Sequence, residues 1–158
     1  MIRPYRPADL PVIMDIGNRA WKPIYDMYQR LRGDDLFTLI TPDRETAKGS
    51  QVKHSAEHTP ERILICEEAG RIVGFLTFLL DREKGIGTLG NNAVDPACGL
   101  KGIGQQMYKA AFERFRQEGM RFAKVTTGLD EAHAPARRAY ERAGFNVRQE
   151  DVTYYMKL

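Results

Sequence analysis

Long apolar runs are absent from this chain. No stretch approaches the roughly 18 residues that a membrane-spanning helix needs, so a membrane is not an expected partner. The first residues lack the charged, apolar and small-residue succession of a secretory signal, and a soluble cytoplasmic protein is the expectation. Cysteine is scarce: Cys66 and Cys98 sit among apolar or small residues without metal-type spacing, and read as reduced and structural. Histidine is scarce too, with only His54, His58 and His133. His54 and His58 have the i, i+4 spacing of a metal pair, but no third ligand follows, so they read as exposed side chains and no metal is expected. Nor is charge of one sign concentrated anywhere. The 24 Lys and Arg against 21 Asp and Glu leave a net charge of +3 without a basic stripe, which argues against a nucleic-acid partner.

What is present is an ordinary globular composition. With 42% hydrophobic residues, the 158-residue chain suits a single domain, 1–158, with one good core. Residues 1–5 read as a strand. Apolar residues from Leu10 through Ile13, Gly17, Trp21, Ile24 and Tyr28 to Leu31 follow helical spacing. Pro23 falls inside that pattern and predicts one helix stopping near Ala20 and another starting near Pro23, ended by Gly33-Asp34-Asp35. Thr41-Pro42-Asp43 has the cap, the proline and the acid of a helix start. The helix it opens, to about His58, is thinly apolar and is expected to lie exposed and mobile. Residues 63–68, 72–80 and 88–94 read as strands, the first two joined at Ala69-Gly70-Arg71. A helix at 102–117, a strand at 122–127 and a helix at 135–142 follow, then a closing hairpin of 145–150 and 152–158. This order predicts an α/β fold with a mixed sheet rather than a doubly wound one.

The stretch 91–119 is the one around which the chain is organised. A strand ends at Val94-Asp95-Pro96, a loop Gly99-Leu100-Lys101-Gly102-Ile103-Gly104 follows, and a long helix begins inside it. A helix N-terminus offers unpaired backbone N–H groups and the positive end of the dipole, and glycines let a ligand approach the backbone. These features describe a phosphate cradle. Its spacing, Gly99-x-x-Gly102-x-Gly104, is neither the dinucleotide fingerprint G-x-G-x-x-G nor a nucleoside-triphosphate loop ending in G-K-[ST].

The same loop fits the order [QR]-x-x-G-x-[GA] of acyl-CoA-dependent acetyltransferases. A second stretch, from His133-Ala134-Pro135-Ala136 through Tyr140 to Gly144-Phe145, resembles the pattern N-x-x-A-x-x-x-Y-x-x-x-G-F. Together, in this order and separation, they make the chain similar to the GNAT superfamily of acetyl-CoA-dependent N-acetyltransferases over essentially its whole length. The resemblance implies a mostly antiparallel, twisted sheet of six to seven strands flanked by helices. It also implies acetyl-CoA as acyl donor, and a small-molecule or peptide amine as acceptor; a homodimer is compatible with it. Backbone groups of Asn92, Ala93 and Val94 would run along the pantetheine arm, and Gly99, Leu100, Lys101, Gly102, Ile103 and Gly104 would cradle the pyrophosphate. His133 and Ala136 would lie on the cofactor side, and Tyr140 near the thioester sulfur. Three positions depart from the pattern: Gly99 replaces the usual Gln or Arg, His133 a common Asn, and Thr88 an acid found on the strand in many relatives.

Attack on a thioester needs a neutral amine, and an amine of pKa about 10.4 is less than about one part in a thousand neutral at pH 7. A base, or water leading to one, must take that proton. Backbone N–H near Val94 is a candidate oxyanion donor if the strand bulges there. A phenol with pKa about 10 is suited to protonating a thiolate with pKa about 8.5, which makes Tyr140 the candidate acid. The base is not legible. Asp130 and Glu131 read as a solvated turn capping the next helix, Asp81 and Glu83 as wet hairpin acids, and His133 either as a cofactor contact or as packing at a helix start. Cys98 lacks a base partner and reads as a small packed residue. Tyr25 and Tyr28 are candidate acceptor contacts, with Tyr154 and Tyr155 near the same side, whereas Trp21 reads as core. Two other functions stay open: a non-catalytic acyl-CoA-binding module, suggested by Gly99, Thr88 and the missing base, and a basic nucleic-acid-binding domain, suggested only by a pI near 8.9.

Overall fold

In the computed structural model, which describes residues 1–158, one five-stranded sheet runs in the order β1-β2-β3-β4-β5. The strands are β1 (Ile2–Pro4), β2 (Ile63–Glu68), β3 (Arg71–Asp81), β4 (Ile86–Val94) and β5 (Phe122–Val125). Strands β1 to β4 pair antiparallel, and β5 joins β4 in parallel. A parallel neighbour requires a long return connection, and the helix between these two strands supplies it. Helices α1 (Leu10–Arg32), α2 (Asp34–Ile40), α3 (Ala47–His58), α4 (Ile103–Gln117) and α5 (Ala134–Arg142) complete the fold.

Alternation along the strands splits the core in two. Ile63 and Ile65 of β2 point toward α1 and α3, where they meet Ile13, Ile16, Val52 and Phe75. Cys66 points the other way, into a cluster with Leu76, Phe78, Met107, Ala111 and Phe115 under α4. The sheet is thus held between α1 and α3 on one face and α4 on the other.

Three expectations are corrected. Helix α1 does not break at Pro23 but runs through it for 23 residues. An interior proline forfeits one backbone bond at a cost of about 3 kcal/mol. Burial of Ile13, Ile16 and Tyr25 on both sides of it offsets that cost and holds the two halves in one helix. Thr41-Pro42-Asp43 does not start a helix, which begins at Ala47. Arg44 bonds Gln29 and Asp26 of α1, and that tether favours a turn ahead of α3. Nor is α3 exposed throughout: Gly49 donates its N–H to Asn18 Oδ1 at 2.6 Å, and Val52 is fully buried. Small residues let the two helices approach closely, so a thin apolar stripe suffices.

The closing hairpin is absent as well, and the sheet has five strands rather than six or seven. No strand forms after Phe145. Phe145 packs on Phe112 and Tyr140, while Val152, Tyr154 and Met156 stay exposed. An alternating pattern provides a face but not a ladder partner. The strand at that edge of the sheet, β5, is only four residues long.

Candidate active site

The sheet opens between β4 and β5. Their parallel register runs from Ile86 opposite Phe122 to Leu89 opposite Val125 and stops there, five residues before β4 ends at Val94. On the other edge, Leu76 pairs with Asn92 and Phe78 with Leu89, so Gly90 and Asn91 together oppose Thr77. That is a β-bulge, and it lies at Gly90–Asn91 rather than near Val94, which pairs regularly with Gly74. Glycine is required at the bulge, because a Cβ at Gly90 would sit 2.5 Å from Thr77 Oγ1. Asp95 donates its backbone N–H to Val73 on β3. Alternation therefore turns the amides of Val94 and Asn92 the other way, into the opening.

Asn92 is the hub of this opening. Its Nδ2 donates to Gly90 O at 3.0 Å and to the Tyr140 hydroxyl at 3.2 Å, and its Oδ1 accepts from the Tyr108 hydroxyl at 3.1 Å. The Tyr108 and Tyr140 rings lie 5.4 Å apart, and both are buried. Burial first, and the neighbouring Tyr140 second, push the Tyr108 phenol well above its usual range, so it remains a donor. Tyr140 accepts from Asn92, which leaves its own proton free for another acceptor.

The glycine loop leads away from this hub. Asp95 is buried, accepts Arg19 Nη1 at 2.6 Å and Ala97 N at 2.9 Å, and is held below the usual carboxylate range chiefly by Arg19. It thereby ties α1 to the end of β4. Gly99 and Gly102 adopt φ +66° and +81°, and a Cβ at either would meet nothing within 4 Å. The loop is glycine-bearing for its backbone conformation and presents an open surface. The first bond at this end of α4 runs from Gln106 N to Gly102 O, so the N–H groups of Ile103, Gly104 and Gln105 face the loop.

Helix α1 packs both on β4 and on the turn before α5. Tyr28 packs its ring 6.0 Å from that of His133 and lies under the Arg32 guanidinium at 4.1 Å. His133 is buried, and its Nδ1 lies 2.7 Å from Asp130 Oδ2 and 2.9 Å from Oδ1. Asp130 also accepts the His133 backbone N–H at 3.0 Å. Burial pushes the Asp130 carboxyl up, but the His133 hydrogen bonds outweigh it and hold the group below its usual range.

Comparison with known proteins decides which family this arrangement belongs to. Residues 21–145 match the model of the acetyltransferase (GNAT) family. The chain belongs to the GNAT acetyltransferase family. A mycothiol acetyltransferase of Acidimicrobium ferrooxidans is 28% identical over 163 residues, covering 99% of this chain and 46% of the relative, so the chain spans about half that protein's length. The PaiA N-acetyltransferase of Thermoplasma acidophilum, solved with coenzyme A, superposes with TM-score 0.71 at 15% identity over 96% of this chain and 92% of that one. A GNAT acetyltransferase of Brucella melitensis, solved with acetyl-CoA, gives 0.63 at 23% identity over 98% and 95%.

Within this GNAT chain, Asn92, Ala93, Val94 and the loop from Gly99 to Gly104 lie along one continuous path from the opening to the start of α4. Tyr140 joins it through Asn92. Ala136 packs against the core under α4. Tyr25 is buried edge-on to Phe37, 6.4 Å away, between α1 and α2, so Tyr28 rather than Tyr25 faces His133. Cys98 accepts the Leu100 N–H on its sulfur at 3.5 Å within the loop turn. His54 and His58 stack at 4.0 Å on α3. Tyr108 and the Asp130–His133 contact are not legible from sequence spacing alone. Tyr108 follows Met107 on the core side of α4 and meets Asn92 only through the fold. A carboxylate three residues ahead of a histidine is a common capping arrangement, and no feature of it announces a side-chain pair.

Proposed function

We propose that this chain is an N-acetyltransferase that moves the acetyl group of acetyl-CoA to a primary amine by direct attack in a ternary complex. One observation carries the reading. The Tyr140 hydroxyl accepts from Asn92 beside the edge of β4 that β5 leaves unpaired, which supports Tyr140 as the acid for a thioester laid along that edge. The residues present fit such a donor. The outward amides of Asn92 and Val94 can pair with an extended amide arm, and the open loop from Gly99 to Gly104 with the amides at the start of α4 can hold a pyrophosphate. Acetyl-CoA supplies an activated acyl group, while Tyr140 supplies the proton that makes a thiolate a better leaving group. Gly99 limits the cradle to backbone donors. On the acceptor side, Tyr28 and Arg32 present a half-buried aromatic and cationic wall.

The test has two readouts. Acetyl-CoA at about 100 times its Kd should raise stability by about 2.7 kcal/mol, seen as a thermal shift. Free CoA thiol should appear only with acetyl-CoA and an acceptor from an amine panel of aminosugars, polyamines, amino acids and peptide N-termini. Protection without CoA release would favour a binding module, and absence of both would reject the reading.

A further inference from the structure

His133 occupies a position where the family pattern carries an amide, and the structure gives its imidazole a specific setting. An ionised carboxylate only accepts, so the contacts of 2.7 and 2.9 Å to Asp130 place the ring hydrogen on Nδ1. Nε2 then carries the lone pair. It makes no hydrogen bond within the protein, yet it is not sealed off, because Thr127 Oγ1 is the one fully buried side-chain polar atom without a partner. The backbone is shaped around this pair. A Cβ at Gly128 would lie 2.6 Å from His133 Nδ1, and Arg137 Nη1 grips the carbonyls of Gly128 and Asp130 at 2.7 and 2.6 Å. The ring is flanked by Tyr28 of α1.

We infer that His133, oriented by Asp130, is the general base that deprotonates the acceptor amine. The inference rests on the acetyl-transfer reading above. The acceptor ammonium gives one proton to Nε2, and the imidazolium passes it to solvent. The amine nitrogen then bonds to the acetyl carbon as the carbon–sulfur bond breaks. Tyr140 protonates the departing thiolate and recovers a proton from the acylated nitrogen, so one proton is released per turnover. Asp130 is a positioning residue: it fixes the tautomer and stabilises the charged ring. The charged or titratable groups that meet the imidazole are Asp130 in its own turn and Tyr28 from α1; around them, Arg32 lies over the Tyr28 ring and Arg137 of α5 holds the carbonyls of Gly128 and Asp130.

The test compares wild type, His133→Asn, His133→Ala and Asp130→Asn in kcat/KM against pH, with the panel amine that wild type uses best, and in Kd for acetyl-CoA by calorimetry. His133→Asn should lose about 10²- to 10⁴-fold in kcat/KM and the ascending limb of the pH profile, with Kd for acetyl-CoA unchanged. An unchanged Kd also reports that the variant is folded. Imidazole in solution should restore turnover to His133→Ala, and Asp130→Asn should lower kcat with little change in KM. A His133→Asn enzyme with the wild-type rate and limb would overturn the base assignment while leaving acetyl transfer standing. So would a loss explained wholly by weaker acetyl-CoA binding, which would make His133 a cofactor contact. If wild type binds acetyl-CoA but acetylates no panel amine, the transfer reading fails, and this inference with it.

Discussion

Asn92 donates its side-chain N–H to the hydroxyl of Tyr140 at 3.2 Å, and this bond decides which way the phenol can offer its proton. Tyr140→Phe should lower kcat by about 10²- to 10⁴-fold and leave Kd for acetyl-CoA unchanged. Asn92→Leu should follow it in direction, since the phenol is then free to rotate. Tyr108→Phe removes one neutral hydrogen bond worth about 1 kcal/mol and should cost no more than about tenfold. Steady-state kinetics beside calorimetry checks all three. A Tyr140→Phe enzyme with the wild-type rate at every pH would show that the thiolate leaves without this acid.

Gly102 stands just before α4 in the left-handed region, at φ +81°, with open space where a side chain would begin. Gly102→Ala therefore meets no clash and carries only the backbone penalty of about 1–2 kcal/mol. The chain escapes part of it by rotating the first amides of the helix. Urea denaturation should show a loss of about 1 kcal/mol, and Kd for acetyl-CoA should rise while kcat at saturating donor holds. Full stability with weaker binding would instead indicate a steric role for the open surface.

Lys48 on α3 is buried against the Trp21 ring, 4.1 Å from its centroid, with its ammonium on Gln51 at 2.6 Å and Asn91 of the bulge at 2.9 Å. Burial lowers its pKa from 10.5 to about 8. Between these values the unfolded chain binds more protons than the folded one, so stability rises with pH across that window. Below it both forms are charged and the contribution is constant. Lys48→Met should abolish this rise, leaving urea midpoints that no longer climb from about pH 8 to 10. An unchanged slope would mean that Gln51, Asn91 and Trp21 together compensate the buried charge.

A feature is legible in the sequence where its signal is local. The glycine loop and the helix behind it were legible, because positive-φ turns and helix starts are written in neighbouring residues. Strands β2 to β4 were legible from composition and alternation. The continuity of α1 was not, since it depends on what Ile13, Ile16 and Tyr25 bury far along the chain. At Asn92 the sequence reveals only a backbone role, because the side chain meets Tyr108 and Tyr140 across 16 and 48 residues. Asp130 read as a cap, and it is one. Its second partner, the His133 ring, became visible only with the tertiary structure. The closing hairpin shows the converse: residues 152–158 alternate well, yet alternation without a paired edge produces no strand.

The early parting of β5 from β4 has a consequence for exchange with solvent. Ala93 and Asp95 turn their amides toward β3, within an antiparallel ladder, while Asn92 and Val94 turn theirs toward the gap. Adjacent amides on one rigid strand should therefore differ sharply in hydrogen–deuterium exchange, fast at 92 and 94 and slow at 93 and 95. An extended ligand seated in the gap would act as a sixth strand, and it would slow the fast pair while leaving the slow pair unchanged.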